Sequence, residues 1–274
     1  MYGTTVVGWD ASFTAENAIA WAVDRALRQP AGPRVLRVVR IVDDALAVDA
    51  DERADWTDTA TSELADLAGS LRDEHPDLQV ESEVLHGEPG EVLAAQAGED
   101  TLVVVGGENG RTDEYWYSAR MGARVSGMAD GPVAVIPVGD DRSRSGVMVA
   151  VDESAGAAAV CRFAAQLATE RGEALHAVHV GVRTHDVATD QEILDRIIAP
   201  VIEEFPDLDV ESHLESGGTV GALLRRAKER SVVVVGSRRV SAVRRLFLGS
   251  VSHALVTNAW CPTIVVPPQA QEPR

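Results

Sequence analysis

The chain has 274 residues, 45% hydrophobic and 25% charged, with two cysteines and a formal charge of −18. That length supports about two domains, each with a core of its own, and the composition excludes a collagen-like or wholly disordered chain. With 43 acidic residues against 25 basic ones and only 4% aromatics, a nucleic-acid binder is not expected, because phosphate backbones repel such a surface and few rings offer stacking.

In chain order, short β-branched runs alternate with stretches of helical periodicity. The opening MYGTTVVGWD has neither a basic start nor an apolar h-region, and no run approaches the ~18 apolar residues of a membrane span. Strands are expected near Thr4–Trp9, Val35–Val42, Leu78–Leu85, Leu102–Gly106 and Val133–Val138, then Val147–Val151, Ala174–Val180, Leu208–Leu214, Val232–Gly236 and Thr263–Val266. Amphipathic helices fall between them, at Ala15–Leu27, Ser62–Arg72, Ala155–Glu170 and Gln191–Phe205. Ser12 and Ser154, each two residues past an aspartate, are candidate helix caps, and Pro89 and Thr219 open a third helix in each half. Runs such as Val232–Val235 are apolar on both faces, as in parallel strands covered by helices. The expected fold is therefore α/β, a doubly wound, Rossmann-like parallel sheet.

The pattern occurs twice. Pro76-Asp77-Leu78-Gln79-Val80-Glu81-Ser82 returns as Pro206-Asp207-Leu208-Asp209-Val210-Glu211-Ser212, an offset of 130 that also carries Gly87, Gly106, Pro132 and Pro137 onto Gly217, Gly236, Pro262 and Pro267. The starts match at an offset of 142, Asp10 onto Asp152, so the first copy carries 12 extra residues before Pro76. Two tandem domains follow, 1–140 and 145–274, joined by the polar stretch from Gly139 to Gly146. The last strand of each copy is bracketed by prolines, as at a sheet's edge or end, and an edge strand needs a cover or a partner.

Ligands of doubly wound sheets sit beyond the carboxyl ends of the strands, which directs attention to Asp10, Asp152 and the turns after the fourth strands. In the second copy Gly236 ends a strand and Gly249-Ser250 opens a helix, whose unpaired N–H groups and positive dipole end suit an anion. Ser250 and Ser252 would add hydroxyl donors. Residues 221–250 hold eight bases against one acid, a charge of +7 in a chain that is otherwise −25. A solvated basic face is the plain alternative.

Asp152, followed by Gly236-x2-Arg239-x9-Gly249-Ser250 and a terminal Cys-Pro-x2-Val-Val-Pro strand, resembles the universal stress protein family and its Gly-x2-Gly-x9-Gly-Ser/Thr motif. The resemblance covers the whole chain as a tandem pair of adenine-nucleotide-binding domains. It implies ATP, or AMP or cyclic AMP, with or without Mg²⁺, held by Asp152 and Val180 at the adenosine and by Gly236, Gly249, Ser250, Val251 and Ser252 at the phosphates. Arg239 replaces the second motif glycine, where it either reaches a phosphate or crowds the turn. The first copy keeps Asp10, Ile41 and Gly106 but has Ala119 and Arg120 where Gly249 and Ser250 stand, and residues 91–120 carry −4. The expectation is a degenerate first domain, with weak nucleoside binding left open, beside a nucleotide-competent second one.

The resemblance also implies pairing of the terminal strands between the two copies, giving an intramolecular pseudo-dimer that could associate into a homodimer. No Walker A, Gly-x-Ser-x-Gly or HExxH motif is present, so no catalytic residue and no metal ligand is assigned, and the seven histidines are read as structural or solvated. Tyr115-Trp116-Tyr117 is read as a packing cluster and both cysteines as inert, in a reducing, cytosolic setting. The expected function is a stress-response regulatory protein that binds ATP mainly in its second domain. A nucleotide-independent interaction scaffold and a slow ATPase are the alternatives.

Overall fold

A computed structural model of the chain describes residues 3–29, 34–107, 116–139, 143–181, 186–237 and 248–268, with the backbone alone for 116–120. In the first repeat β1 (Thr4–Gly8), α1 (Phe13–Arg28), β2 (Val35–Val42), α2 (Ala50–Glu74), β3 (Gln79–His86), α3 (Pro89–Gln96), β4 (Thr101–Gly107), α4 (Trp116–Met128) and β5 (Val133–Pro137) alternate in order. The second repeat supplies β6 (Val147–Val151), α5 (Ala157–Arg171), β7 (Leu175–Val180), α6 (Val187–Glu204), β8 (Val210–Glu215), α7 (Thr219–Ala227), β9 (Val232–Gly236), α8 (Ser250–Asn258) and β10 (Thr263–Val266). Every expected strand forms, within two residues of the expected start.

The strands join into one ten-stranded sheet, ordered β3-β2-β1-β4-β5-β10-β9-β6-β7-β8. Each repeat is parallel throughout. The repeats meet in an antiparallel seam where Thr263 faces Val135, Ile264 faces Ala134 and Val265 faces Val133. The proline-flanked strands are thus central rather than exposed: each finds its missing partner in the other repeat. The prolines stay at strand ends, where no ladder N–H is needed.

Two cores sandwich the sheet. One face buries Ala18 and Leu64 of the first repeat together with Cys161 and Leu194 of the second. The other buries Leu93 and Val125 with Leu223 and Leu255. Both cores run across the seam, so the repeats share one packed interior. Val232, Val233 and Val234 are fully buried between them, which explains the unbroken valine run.

Two expectations about helices change. Ser12 does cap α1, accepting from the Ala15 N–H at 3.2 Å. Ser154 does not cap α5, which begins three residues later at Ala157, behind Gly156 and with no side-chain cap; the Ser154 N–H instead donates to Asp152 Oδ1 at 3.0 Å. Helix α2 starts twelve residues before the expected Ser62, capped by Asp49, whose side chain accepts from the Glu52 N–H. Only Ala60, Leu64, Ala68 and Leu71 of α2 are buried, a narrow stripe at three- and four-residue spacing that its polar first half does not continue. At 25 residues against 18 in α6, α2 takes up seven of the first copy's extra residues.

Candidate nucleotide site

A cavity of about 320 Å³ opens beyond the carboxyl ends of β6, β7 and β9. Asp152, Val180, Gly236, Gly249, Ser250, Val251 and Ser252 all line it. Residues from four separate segments of the second repeat therefore converge on one space. Arg239, with Arg238, Arg244 and Arg245, lies outside the described residues, as does Tyr115; the side chains of Trp116 and Tyr117 do too.

Each wall has a local cause. Asp152 follows β6, and its Oδ1 accepts the Ser154 N–H, which fixes the carboxylate at the mouth. Val180 ends β7 with 7% exposure and gives an apolar wall with Leu223 of α7. Gly249 precedes α8 in an extended conformation, φ −58° and ψ 153°. The first amide of α8 to find a helical partner is His253, which donates to the Gly249 carbonyl at 2.8 Å. The amides of Ser250, Val251 and Ser252 precede it and lack intrahelical acceptors. A row of N–H groups at the positive end of a helix therefore borders a cavity that the Asp152 carboxylate also lines.

The hydroxyls divide. Ser252 is 2% exposed, and its Oγ donates to the Gly249 carbonyl at 3.0 Å. It braces the glycine turn, so the hydroxyl donor expected from it is already engaged. Ser250 is exposed at the first helical position. Part of the basic island is engaged elsewhere as well: Arg226 pairs with Glu215 at 2.5 Å, and Arg230 Nη1 lies 2.9 Å from His176 Nε2.

His179 also lines the cavity, unanticipated by the sequence reading. Its Nδ1 donates to the Val151 carbonyl at 3.0 Å, and its Nε2 lies 3.5 Å from Asp190 of α6. Its position one residue before Val180 was the available signal. Cys161, on α5 behind Asp152, is fully buried, and burial first and the nearby carboxylate second push its thiol up to about 12. A thiol so hard to ionise is inert, as is expected of a core cysteine.

The first repeat has a matching cavity of about 290 Å³ lined by Asp10, Ile41 and Gly106, with Trp9, Thr14, Leu93 and Met121. Asp10 Oδ1 accepts the Ser12 N–H at 3.0 Å, repeating the turn at Asp152. The glycines differ in cause. A Cβ on Gly106 would lie 2.6 Å from the Thr14 carbonyl, so the approach of α1 requires glycine there; on Gly236 the nearest atom would be a Val160 methyl at 3.2 Å.

The helix ends differ more. At the offset of 130, α4 and α8 stop together at Met128 and Asn258, but α4 has 13 residues and α8 nine, so α4 begins four residues earlier. Arg120, Met121 and Gly122, the counterparts of Ser250, Val251 and Ser252, lie inside α4, where each N–H turns to the carbonyl four residues back. Among the described residues, the open amides of the second cavity have no equivalent beside the first.

The universal stress protein family model matches residues 1–137 and again 145–267. The chain belongs to this family. A universal stress protein of Mycolicibacterium smegmatis is 26% identical over 296 residues, covering 96% of this chain and 97% of that protein. One of Mycobacterium tuberculosis is 26% identical over 299 residues, covering 95% and 93%. Among solved structures, a universal stress protein from Archaeoglobus fulgidus matches with a TM-score of 0.77 at 18% identity, over 98% of this chain and all of that one. A Pseudomonas aeruginosa structure described as a putative universal stress protein gives 0.66 at 14% identity, over 98% and 94%. The near-complete coverage in both directions makes the tandem pair the shared unit. Membership supports a stress-response role, and among the described residues no helix is long and apolar enough to cross a membrane.

Proposed function

We propose that this universal stress protein binds an adenine nucleotide, ATP first among them, in its second repeat and acts through that binding rather than through turnover. The observation that carries the reading is the cavity between Asp152 and the N-terminus of α8. Its size lies at the lower end of the ~300–1,000 Å³ of small-molecule sites. The residues fit the group: Asp152 offers an acceptor for a ribose hydroxyl or a base amine, Val180 and Leu223 an apolar surface for the base, and the amides of Ser250–Ser252 a cradle for phosphate oxygens. Such a tail is anionic, which accounts for a helix N-terminus and a local positive charge in an acidic protein.

The first repeat has the carboxylate and the apolar wall without the amide cradle, and this favours a nucleoside at most.

Two measurements on the full chain test this. Mass spectrometry of freshly purified, heat-released ligand should find an adenine nucleotide. Calorimetric titration with ATP should show binding that Gly249→Val weakens at least tenfold, by placing a branched side chain at the turn, and that Ser250→Ala weakens about five- to tenfold, the loss of one hydrogen bond to a charged acceptor. Unchanged ATP affinity in Gly249→Val would reject this assignment of the loop.

A further inference from the structure

Away from the nucleotide cavity, three potential ligand atoms converge on one point between β7 and β8. His176 Nδ1 lies 3.1 Å from His213 Nε2 and 3.3 Å from Glu211 Oε2, and His213 Nε2 lies 3.3 Å from the same oxygen. His176 pairs with Glu211 across the two strands, and His213 follows two residues later on the same face. The two rings stack with centroids 5.4 Å apart and 19° between planes.

The His176 tautomer follows from its other neighbour. Arg230 Nη1 approaches His176 Nε2 at 2.9 Å, and a guanidinium only donates, so Nε2 accepts and the His176 proton sits on Nδ1. That Nδ1 proton faces both the His213 nitrogen and the Glu211 oxygen, and His213 Nε2, in the tautomer that carries its proton there, donates to the same Glu211 oxygen. Donor atoms in tetrahedral contact with one Zn²⁺, at bonds of about 2.0–2.1 Å, stand about 3.3–3.4 Å apart. Two of the three separations here, at 3.3 Å, have that size, and the third, between the two imidazoles, is slightly shorter at 3.1 Å.

The first repeat shows what fills the same place when the chain supplies its own cation. At the corresponding positions stand Arg37, Glu81 and Glu83: Arg37 pairs with Glu81 across β2 and β3, as His176 pairs with Glu211, and its Nε donates to Glu81 Oε2 at 3.1 Å. In the second repeat the arginine is replaced by His176 and the second carboxylate by His213. The cation on this strand position is gone and two imidazoles have been added, while Arg230 reaches only the far nitrogen of His176.

We propose that His176, Glu211 and His213 form a site for a divalent transition-metal ion of the Zn²⁺ class, which clips the edge strand β8 to β7. Two imidazoles and a carboxylate suit Zn²⁺, Co²⁺ or Ni²⁺ rather than Mg²⁺ or Ca²⁺. The His176 side chain is 7% exposed, His213 18% and Glu211 50%, so the site is anchored in the interior and open on the Glu211 side to a water as fourth ligand. When the ion binds Nδ1, the His176 proton moves by exchange with solvent from Nδ1 to Nε2, so the imidazole stays neutral and Arg230 withdraws from Nε2. Arg226 and Arg230 oppose the ion electrostatically, while Glu215 and Asp209 favour it. His176 lies four residues before Val180, roughly 13 Å along the strand, so this site is separate from the nucleotide cavity and does not depend on that reading.

The test uses the full chain, stripped with chelator and titrated with Zn²⁺ alone and Co²⁺ alone. The expected result is one Zn²⁺ per wild-type chain, visible d–d absorption of tetrahedral Co²⁺, and a Zn²⁺-dependent rise in melting temperature. In His213→Gln and Glu211→Gln, both on the outer strand, Zn²⁺ affinity should fall at least tenfold and the melting temperature should no longer respond. In Arg230→Gln affinity should rise. Zn²⁺ binding in His213→Gln equal to wild type, or no Zn²⁺ binding by wild type, would overturn the proposal.

Discussion

At the scale of single residues, His176 and His213 are where protonation and stability meet. Both imidazoles lie below the ordinary histidine range, His176 through burial first and Arg230 second, and His213 through burial first and Arg226 second, with Glu211 opposing in each case. In the window between each lowered value and the unfolded value of about 6.5, the unfolded chain therefore holds more protons than the folded one. Stability rises with pH through that window, is complete above it, and falls as pH drops below about 6.5. Glu170, raised by burial, works in the opposite direction. With chelator present, wild type should melt several degrees lower at pH 5.5 than at pH 7.5, and the His176→Gln/His213→Gln variant should lose part of that difference. An equal pH dependence in the two proteins would remove these histidines from the account. The cluster was out of reach of the sequence reading because His176 and His213 meet only through the parallel register of two strands separated by α6. Read one strand at a time, the histidines could only be taken as structural or solvated.

At the scale of elements, the difference between the repeats lies in where one helix begins. The replacement of Gly249-Ser250 by Ala119-Arg120 was visible in the sequence as a loss of motif. Its physical form, a helix running four residues further back, was not. A helix start is open to phosphate only while its first amides are unpaired, and α4 has already paired the relevant ones. Calorimetry should therefore find one ATP per chain rather than two, and Asp10→Ala should leave ATP affinity within about twofold. Two equivalent sites would contradict the helix-start explanation. The strands were legible because β-branched runs buried on both faces leave few alternatives. The first half of α2 was missed because a polar, solvent-facing helix carries little periodicity, and the capping role of Ser154 failed because Gly156 opens α5 instead.

At the scale of the molecule, the two repeats share one packed interior. Both cores cross the seam, and Arg25 of α1 reaches Glu170 of α5 at 3.5 Å, their side chains 3% and 8% exposed. Arg25 also donates to the Thr5 hydroxyl at 3.0 Å. Glu170→Ala removes the counter-charge of a buried guanidinium and should cost about 3–5 kcal/mol in denaturant unfolding. Arg25→Met combined with Glu170→Leu should cost less than the single change, because no buried charge is left over. Unfolding of wild type should be a single transition seen identically by all probes; two separable transitions would show that the repeats fold independently. The duplication itself was legible from repeated residues at a constant offset, and the proline brackets marked the strands in need of partners.

The antiparallel seam has an evolutionary consequence. Two identical chains meeting across such a junction must present the same surface to each other, so every change is made twice and is tested against itself. Covalent fusion lifts that constraint, because each side of the junction is encoded once. One half is then at liberty to lose its cradle of amides, and the other to exchange an arginine for a histidine, without either change being mirrored. The asymmetry of this molecule is what a built-in, non-identical companion permits.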